Sequence, residues 1–490
     1  MGNLGQLEPA LLWGYFEEIS NIPRPSKKEE QVRLYLMQFA KKNQLECKAD
    51  NAGNVLIKKP ATPGMEKIKT VVLQSHLDMV GEKNSETIHD FEKDPIHCFV
   101  DGEWVKAKGT TLGADDGIGV AAQLAILKST DISHGPIECL FTVDEETGLT
   151  GAFALEKNFF EGEILINLDS EDEGELFIGC AGGNDTTAVF NYETKTLPDI
   201  NLAFEIGVKG LIGGHSGDDI HKGLGNSNKI IIRFLWNISR DFEARLAVFD
   251  GGNLRNAIAR EAKAIFTIEP EHYEACKTYF DEYSKIIKEE LKITEPGLVI
   301  SLIQSDKPET VINRKAQSRL LNSLYACPHG VIEWSHEMPG LVETSTNLAS
   351  VKFISGNEIQ VTTSQRSSVD SARKDISDRV QNIFEMGKAK VSRTTGYPGW
   401  KPNKKSQILN TTKDCYKELF GNEPVVRAIH AGLECGLFLE KYPGLDMISF
   451  GPTIKGAHSP DERLNIDSTL RFWRLLLVVL KNIPQKTAVH

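Results

Sequence analysis

The chain has 490 residues, which is too long for one ordinary hydrophobic core, so two or three folding units are expected. Its formal net charge of -12 at pH 7 and the lack of a long lysine and arginine cluster argue against a nucleic-acid partner. The eight cysteines contain no C-x-x-C pair, no apolar run is long enough to span a membrane, and no secretory signal is visible. We therefore expect a cytoplasmic protein with reduced thiols and no membrane partner.

The first third of the chain predicts alternating strands and helices. Residues 8–43 predict two helices around the turn NIPRPSKKEE, where Ser26 is expected to cap the second helix. Strands are predicted in NVLIKK, TVVLQSH, IECLFTVDEE and EILINLD, with a helix in DDGIGVAAQLAILKS between them. This alternation is typical of an α/β layered domain.

The pattern changes after about residue 186 and returns near residue 398. The intervening segment contains the glycine-rich AFEIGVKGLIGGHSG, helices predicted at 226–239 and 271–292, and a second strand, strand, helix series ending in DSARKDISDRVQNIFEMG. After TTGYPGWKPNKK come a helix near 406–420, the strand DMISFGP and a terminal helix at 466–483. We therefore predict an α/β domain of residues 1–186 and 398–490, split by an inserted α+β lid of two lobes at 187–397.

Charged side chains recur where the predicted strands end. The segments SHLD, GADDG, VDEETG, NLDSE and GPTIKGAHSPDE contribute His76, Asp115, Glu145 with Glu146, Asp169 and His458. Each has an ordinary structural explanation when taken alone, such as a core histidine, a helix cap or a solvated acidic loop. Ligands of open α/β sheets, however, bind beyond the carboxyl ends of the strands. Carboxylates gathered at one such edge would be costly to desolvate without a cation.

This combination of side chains indicates a pair of divalent metal ions. Two imidazoles and three carboxylates suit two ions bridged by one carboxylate, and one further carboxylate then remains to act as general base on a metal-activated water. Zinc accepts such a mixture of nitrogen and oxygen ligands, with cobalt or manganese as alternatives. Asp78 lies two residues after His76 on the same face of the strand, where a carboxylate orients a ligand imidazole.

The order of these residues resembles the di-zinc exopeptidases of metallopeptidase family 20. The stretches SHLDMVGEKN, TTLGADDGIGVAAQLAI, FTVDEETGLTGA and HAGLECGLF are similar to its aminoacyl-histidine dipeptidase branch. The resemblance implies a three-layer α/β catalytic domain split by a lid, and often a cis peptide between Asp115 and Asp116. It also implies the following roles: His76 and Asp169 on one metal, Glu146 and His458 on the other, Asp115 between both, Glu145 as general base, and Asp78 as support for His76.

The resemblance extends to residues expected to contact the substrate. His215 in GGHSG is implied to donate to the oxygen of the tetrahedral intermediate, although an ordinary loop histidine would explain the motif equally well. Asn253 and Arg366 are expected to hold the terminal carboxylate, with a surface charge as the alternative for Arg366. Glu434 in HAGLECG is a candidate partner for the free amine of a dipeptide.

The sequence leaves three functions to be distinguished. The first is a dipeptidase acting on Xaa-His dipeptides, including β-alanyl-histidine. The second is an amidohydrolase that removes an acyl group from an amino acid with the same two metals. The third is a non-catalytic peptide-binding protein, against which the retained Glu145 argues because a binding protein needs no base. The lid suits either a homodimer or a monomer whose enlarged lid replaces a partner.

Overall fold

The computed structural model of the chain describes residues 4–197, 200–355 and 357–486. The chain divides into two compact units. Unit 1 comprises Met1–Gly179, Pro402–Ala428 and Leu433–His490, and unit 2 comprises Cys180–Lys401 and Ile429–Gly432. None of the helices in these described ranges is long and apolar enough to cross a membrane.

The helices and strands follow one another in three blocks. The block before residue 181 contains α1 (Ala10–Ser20), α2 (Glu30–Lys42), β1 (Glu46–Ala49), β2 (Val55–Lys59), β3 (Val71–His76), β4 (Cys98–Asp101), β5 (Trp104–Ala107), α3 (Ala114–Lys128), β6 (Ile137–Thr142), α4 (Glu145–Gly148), α5 (Thr150–Ala154), β7 (Ile164–Asn167) and β8 (Glu175–Cys180). The middle block contains β9 (Gly182–Asn191), β10 (Thr194–Thr196), β11 (Leu202–Lys209), β12 (Gly214–His215), α6 (Ser227–Asp241), β13 (Arg245–Gly251), β14 (Ala257–Ile258), β15 (Ala262–Ile268), α7 (Tyr273–Glu290), β16 (Val299–Gln304), β17 (Thr310–Ile312), α8 (Arg314–Ala326), β18 (Gly330–Trp334), β19 (Val342–Ile354), β20 (Glu358–Ser367), α9 (Asp370–Met386) and β21 (Lys390–Arg393). The last block contains α10 (Gln407–Phe420), β22 (Val425–Ile429), α11 (Glu434–Lys441), β23 (Asp446–Ser449), β24 (Ile454–Lys455), β25 (Arg463–Asn465) and α12 (Ile466–Lys481).

Unit 1 is built on an eight-stranded sheet with the order β1-β2-β6-β3-β7-β23-β8-β22. Its four central strands pair in parallel, β6 with β3, β3 with β7, and β7 with β23. Every residue of β3, β6 and β7 is buried, which explains their nearly continuous apolar sequences. Because these strands are parallel, their carboxyl ends lie at one edge of the sheet, where the charged segments follow.

Helices α2, α3 and α10 pack against strands of this sheet. Helix α3 packs against α1 and β3, and its residues from Ala114 to Leu127 are all buried. Helix α10 packs against α12 and β23. Strand β23 therefore joins the part of the chain after the insertion to the part before it, as a central strand of the same sheet. This arrangement agrees with the α/β class predicted from the sequence.

Unit 2 contains a nine-stranded sheet with the order β16-β11-β15-β13-β19-β20-β9-β21, and β18 pairs with β19. Helix α6 packs against β11 and β15, whereas α9 packs against β9 and β20. The two lobes expected from the repeated strand, strand, helix order are thus two halves of one continuous sheet. Outside this sheet, the short strand β12, which ends at His215, pairs with β14.

Candidate metal centre

Asp115 lies between two histidines that are far apart in the sequence. Its Oδ1 atom is 3.1 Å from His76 Nε2, and its Oδ2 atom is 3.1 Å from His458 Nε2. Each carboxylate oxygen therefore faces a different imidazole. This is the arrangement that a carboxylate bridging two metal ions requires.

Two further carboxylates complete one group of ligands around each histidine. Asp169 Oδ1 lies 3.5 Å from His76 Nε2, and Glu146 Oε1 lies 3.0 Å from His458 Nε2. In each group one potential ligand atom per residue lies within 4.8 Å of the others, with Asp115 shared by both groups. The structure thus brings together all five residues that the sequence predicted as metal ligands.

Three of the five side chains come from the carboxyl edge of the parallel sheet, and the other two come from the start of α3 and from the turn after β24. His76 is the last residue of β3, Glu146 lies in α4 just after β6, and Asp169 follows β7 by two residues. Asp115 lies in the first turn of α3, and the peptide bond between Asp115 and Asp116 is cis. His458 lies in the turn between β24 and β25 with a φ of +61°.

Asp78 connects the His76 segment with the segment that carries the glutamates. Its Oδ1 atom lies 3.5 Å from His76 Nδ1, and its carboxylate accepts the backbone N–H groups of Glu145 at 3.0 Å and Glu146 at 3.2 Å. Burial raises the pKa of Asp78, but His76 and these hydrogen bonds outweigh it and lower the pKa to about 2. Asp78 is therefore placed to orient the His76 ring and the turn that bears Glu145.

Ser26 has a different role from the one that the sequence predicted. Helix α2 begins at Glu30 with Glu29 in the capping position, so Ser26 is not its cap. The Ser26 hydroxyl instead donates a 2.8 Å hydrogen bond to Asp78 Oδ2. The segment that contains Arg24 and Ser26 runs beside the residues that follow β3, since the backbone N–H of Met79 donates to the carbonyl oxygen of Arg24. Ser26 therefore forms a hydrogen bond with a distant segment instead of capping the helix that follows it.

The electrostatics of these residues fit bound cations. Burial lowers the pKa of His76, but Asp169, Asp115 and Asp78 together raise it well above its ordinary value. The carboxylates of Asp115 and Glu146 raise the pKa of His458 to about 11. The negative carboxylates thus favour a positive charge at the two imidazole nitrogens. A bound proton provides this charge in the absence of metal, and a divalent cation would provide it after the proton is lost.

A buried carboxylate oxygen and the set of donor atoms also favour a cation. Glu146 Oε1 is buried, lies 3.0 Å from His458 Nε2 and forms no hydrogen bond within the described part of the chain. Once the His458 ring loses its proton, this buried oxygen is costly unless a cation binds it. Two imidazole nitrogens with several carboxylate oxygens are ligands that zinc accepts. The residues present therefore fit two divalent cations.

Glu145 lies next to the ligands without belonging to the two groups around Asp115. It is half-buried, and its backbone N–H is held by Asp78. Burial raises the pKa of Glu145, and the negative charges of Asp169, Glu434 and Glu146 raise it further, against the opposite effect of His76. A carboxylate with an elevated pKa beside a metal centre suits a group that takes up and returns a proton.

Glu434 is another buried carboxyl group of unit 1. It is 1% exposed at the start of α11, and its Oε2 atom accepts hydrogen bonds of 2.7 Å from Gln74 Nε2 and Thr142 Oγ1. Its Oε1 atom has no hydrogen-bond partner among the residues that the structure describes. Burial raises the pKa of Glu434 to about 7. One oxygen is thus fixed and the other is available to a donor.

His215 in unit 2 is oriented by its own turn. Its Nδ1 atom accepts the backbone N–H groups of Gly217 at 3.3 Å and Asp218 at 3.2 Å, and the Asp218 carboxylate lies 3.3 Å away. Because Nδ1 accepts these two bonds, the proton of the neutral ring is on Nε2. The ring therefore presents Nε2 as a hydrogen-bond donor.

The other two candidate residues of unit 2 differ in their surroundings. Arg366 is 8% exposed, its Nη1 atom donates to the Tyr397 hydroxyl at 3.1 Å, and its Nε atom has no hydrogen-bond partner in the described ranges. The alternative of a surface charge is therefore wrong for Arg366. Asn253 is exposed, and its Oδ1 atom accepts a 2.9 Å hydrogen bond from Lys352 Nζ.

The sequence analysis missed two charged residues close to the ligands, Arg24 and Glu462, which are both 2% exposed. Glu462 follows His458 by four residues in HSPDE, and Arg24 lies in NIPRPS. Proximity to His458 was a usable signal for Glu462. No local pattern linked Arg24 to the centre, because their contact depends on the long-range pairing of its segment with Met79.

Comparisons with known proteins agree with this geometry. A sequence profile of peptidase family M20/M25/M40 matches residues 72–482. The chain is 44% identical over 486 residues to the cytosol non-specific dipeptidase of Escherichia coli (strain K12), covering 99% of this chain and 100% of that protein. Its structure is similar to the crystal structure of aminoacylhistidine dipeptidase from Vibrio alginolyticus, with a TM-score of 0.92, 46% identity and 99% coverage of both chains.

A more distant structure shares the fold. A tripeptidase from Staphylococcus aureus matches with a TM-score of 0.57 at 17% identity, covering 98% of this chain and 99% of that chain. The family profile spans most of the chain and includes every residue of the two ligand groups. The chain therefore belongs to peptidase family M20/M25/M40.

Proposed function

We propose that this protein is a cytoplasmic metal-dependent dipeptidase that hydrolyses Xaa-His and related unblocked dipeptides, β-alanyl-histidine among them. The observation that carries the proposal is the position of Asp115, whose two oxygens face His76 and His458. The names of the relatives from Escherichia coli and Vibrio alginolyticus support dipeptides as the substrate class.

Unit 1 would supply the metal ligands. His76 and Asp169 would hold one ion, Glu146 and His458 the other, and Asp115 both. Zinc is the proposed metal, with cobalt and manganese as alternatives that accept the same ligands. Two such ions, when bound, polarise the scissile carbonyl group and lower the pKa of a water molecule.

The chain's own residues would then move the protons. The Glu145 carboxylate takes a proton from the attacking water and delivers it to the nitrogen of the leaving amine. Asp78 maintains the position of Glu145 through the Glu145 N–H group. His215 donates Nε2–H to the oxygen that becomes negatively charged.

Buried polar groups would select the two ends of the substrate. The Arg366 guanidinium is buried, and its Nε–H, which has no hydrogen-bond partner among the described residues, would bind the terminal carboxylate. Glu434 would accept a hydrogen bond from the free amine at Oε1, which likewise has no partner in the described ranges. Asn253 Oδ1 would contact the substrate only if its hydrogen bond from Lys352 Nζ were broken. Unit 2, which carries His215 and Arg366, would act as the lid.

The proposal is tested by metal analysis together with an activity assay. We expect about two divalent ions per chain, loss of β-alanyl-histidine and glycyl-histidine hydrolysis after chelation, and recovery with zinc, cobalt or manganese. Metal-depleted protein that regains no hydrolysis with any of the three ions would disprove the enzymatic function.

Replacing Glu145 separates catalysis from metal binding. We expect Glu145→Gln to retain the metal content and to lower kcat by about 100- to 10,000-fold, as loss of a general base commonly does. Exposed Glu156→Gln is a control that should keep full turnover. Normal turnover in Glu145→Gln would assign the base to another residue.

Replacing Glu434 distinguishes a dipeptidase from an acyl-amino-acid hydrolase. We expect Glu434→Gln to raise the KM for β-alanyl-histidine, because the neutral amide attracts the ammonium group less strongly. Exposed Glu440→Gln, on the same helix, is the control. Faster hydrolysis of N-acetyl-histidine than of β-alanyl-histidine by the unmodified protein would favour the amidohydrolase instead.

A further inference from the structure

A fully buried arginine contacts two of the segments that carry metal ligands. Arg24 Nη1 donates to the carbonyl oxygens of Leu77 at 3.0 Å and Asp78 at 3.1 Å, just after His76. Its Nη2 atom donates to the carbonyl oxygen of Gly113 at 2.5 Å, two residues before Asp115. One guanidinium group therefore joins the end of β3 to the start of α3.

A buried carboxylate binds the same turn from its N–H side. Glu462 accepts the backbone N–H groups of Leu112 at 2.7 Å, Gly113 at 2.9 Å and Ala114 at 2.7 Å, with that of Asp115 at 3.3 Å. Glu462 also belongs to the turn region that carries His458. It therefore joins a third ligand-bearing segment to the Asp115 turn.

The glycines of the Asp115 segment make room for the arginine. Gly113 has a φ of +68°, and a Cβ atom there would lie 2.8 Å from Arg24 Nη2. A Cβ atom on Gly117 would lie 2.5 Å from the same nitrogen. Both glycines of LGADDG thus allow the guanidinium to approach the helix start closely. The two glycines beside Asp115 thus leave the space that the Arg24 guanidinium occupies.

Neither residue belongs to the candidate ligand groups found in the described part of the chain, yet both bind the backbone that presents the ligands. We infer that Arg24 and Glu462 are positioning residues that hold the segments of His76, Asp115 and His458 together and thereby set the metal affinity of the centre. Arg24 lies outside residues 72–482, the part matched by the family profile. The inference rests on the proposed function, because it requires that the centre binds metal.

The test measures cobalt affinity by competition with a chelator, in metal-depleted full-length protein. We expect Glu462→Gln and Arg24→Met each to weaken cobalt binding about 10- to 100-fold, as loss of partners outside the ligand set commonly does. The visible spectrum of bound cobalt should change as well, because the ligand geometry changes. At saturating cobalt, kcat expressed per bound cobalt should fall while the KM for β-alanyl-histidine stays unchanged, whereas a general loss of stability would lower only the fraction of protein that binds cobalt.

Glu138→Gln is the matched control. Glu138 is also 2% exposed and accepts two backbone N–H groups, those of Glu161 and Gly162, at 2.8 Å each. It lies near the amino end of β6, away from the carboxyl ends that carry the ligands. We expect Glu138→Gln to lower the melting temperature but to leave the cobalt affinity and spectrum unchanged.

The possible outcomes separate this inference from the proposed function. Cobalt affinity in Glu462→Gln equal to that of the unmodified protein, or an equal loss in Glu138→Gln, overturns the inference. If the unmodified protein itself binds no cobalt, the proposed function fails instead. Should Arg24→Met not fold, Gly117→Ala provides the second test, because it displaces the guanidinium without removing its charge, and it should also weaken cobalt binding.

Discussion

At the scale of single residues, the candidate centre exchanges protons for metal. The carboxylates around His76 and His458 raise the pKa of both imidazoles, in the case of His458 to about 11. A pKa of about 11 keeps the His458 ring protonated near neutral pH when no metal is bound, and the carboxylates around His76 favour the protonated form of that ring in the same way. A metal ion needs the free nitrogen lone pair, so it must displace these protons.

Proton release on metal binding follows from this competition. We expect zinc binding near pH 7 to release protons from both imidazoles and from the Asp169 carboxyl group, whose pKa burial raises well above its ordinary value. The affinity should rise with pH, by about tenfold per pH unit for each proton displaced, up to the raised pKa values. Calorimetric titrations in buffers of different ionisation enthalpy measure the released protons, and a buffer-independent heat would contradict the expectation.

The sequence predicted the ligands better than the residues that support them. His76, Glu146 and Asp169 could be found because they follow strands whose carboxyl ends share one edge of the open sheet, whereas Asp115 and His458 were found through the order of the charged segments along the chain. Ser26 was misassigned, because its hydroxyl group can cap a helix or reach across to Asp78, and the local sequence does not distinguish these. Arg24 could not be found for the same reason, since its partners are carbonyl groups of distant segments.

At the scale of elements, the loop that carries His215 depends on one buried carboxylate. Glu295 is 2% exposed and accepts the backbone N–H groups of Ile212 and Gly225 at 2.7 Å each, one at either end of the loop. Between them, His215 pairs with β14, and its N–H donates to Asp219. Glu295 thus fixes the two ends of the loop from outside the motif GGHSG, whereas the His215 ring is oriented by its own turn.

Glu295→Gln should disturb both stability and turnover. We expect a loss of about 1–3 kcal/mol in the free energy of unfolding, because one buried N–H group would face an amide donor. The kcat should fall through His215, whereas the metal content should not change, because the candidate ligands belong to unit 1. Denaturant titration and kinetics measure these effects.

Glu290→Gln provides the comparison for this variant. Glu290 ends α7 a few residues earlier and forms an exposed ion pair with Arg233 at 2.8 Å. Exposed ion pairs contribute at most about 1 kcal/mol, so we expect little change. Equal effects of the two substitutions would contradict the role given to Glu295.

Element prediction was accurate where periodicity is strong and failed where pairing is distant. The apolar run TVVLQSH becomes β3, and the long polar helix expected at 271–292 becomes α7. The order of the strands could not be predicted from the sequence, because β7 and β23 pair across the whole insertion. The single sheet of unit 2 was missed for the same reason, since local repetition suggested separate lobes.

At the scale of the whole molecule, the proposed functions are divided between the units. All candidate metal ligands belong to unit 1, whereas His215, Asn253 and Arg366 belong to unit 2. A metal ion that binds only the folded state stabilises the unit that holds its ligands. Proteins of several domains commonly unfold in more than one step.

Chelation should therefore lower only one of two unfolding transitions. A metal ion present at 100 times its Kd adds about 2.7 kcal/mol to the stability of the folded state. We expect scanning calorimetry to show this loss in the transition of unit 1 alone. His458→Ala should reduce the effect of chelator, whereas Glu145→Gln should preserve it. An equal shift of both transitions would contradict this assignment.

The central position of β23 has a consequence for how the protein is made. A ribosome synthesises β3, β6 and β7 early, but β23 and His458 emerge only after the whole of the insertion. At about 5–20 residues per second, the nascent sheet waits on the order of ten seconds or more for its fourth parallel strand. Throughout that time the edge of β7 is uncovered and one histidine of the pair is missing. Metal acquisition is therefore expected after release of the finished polypeptide, and a nascent chain interrupted before residue 446 is expected to depend on chaperones.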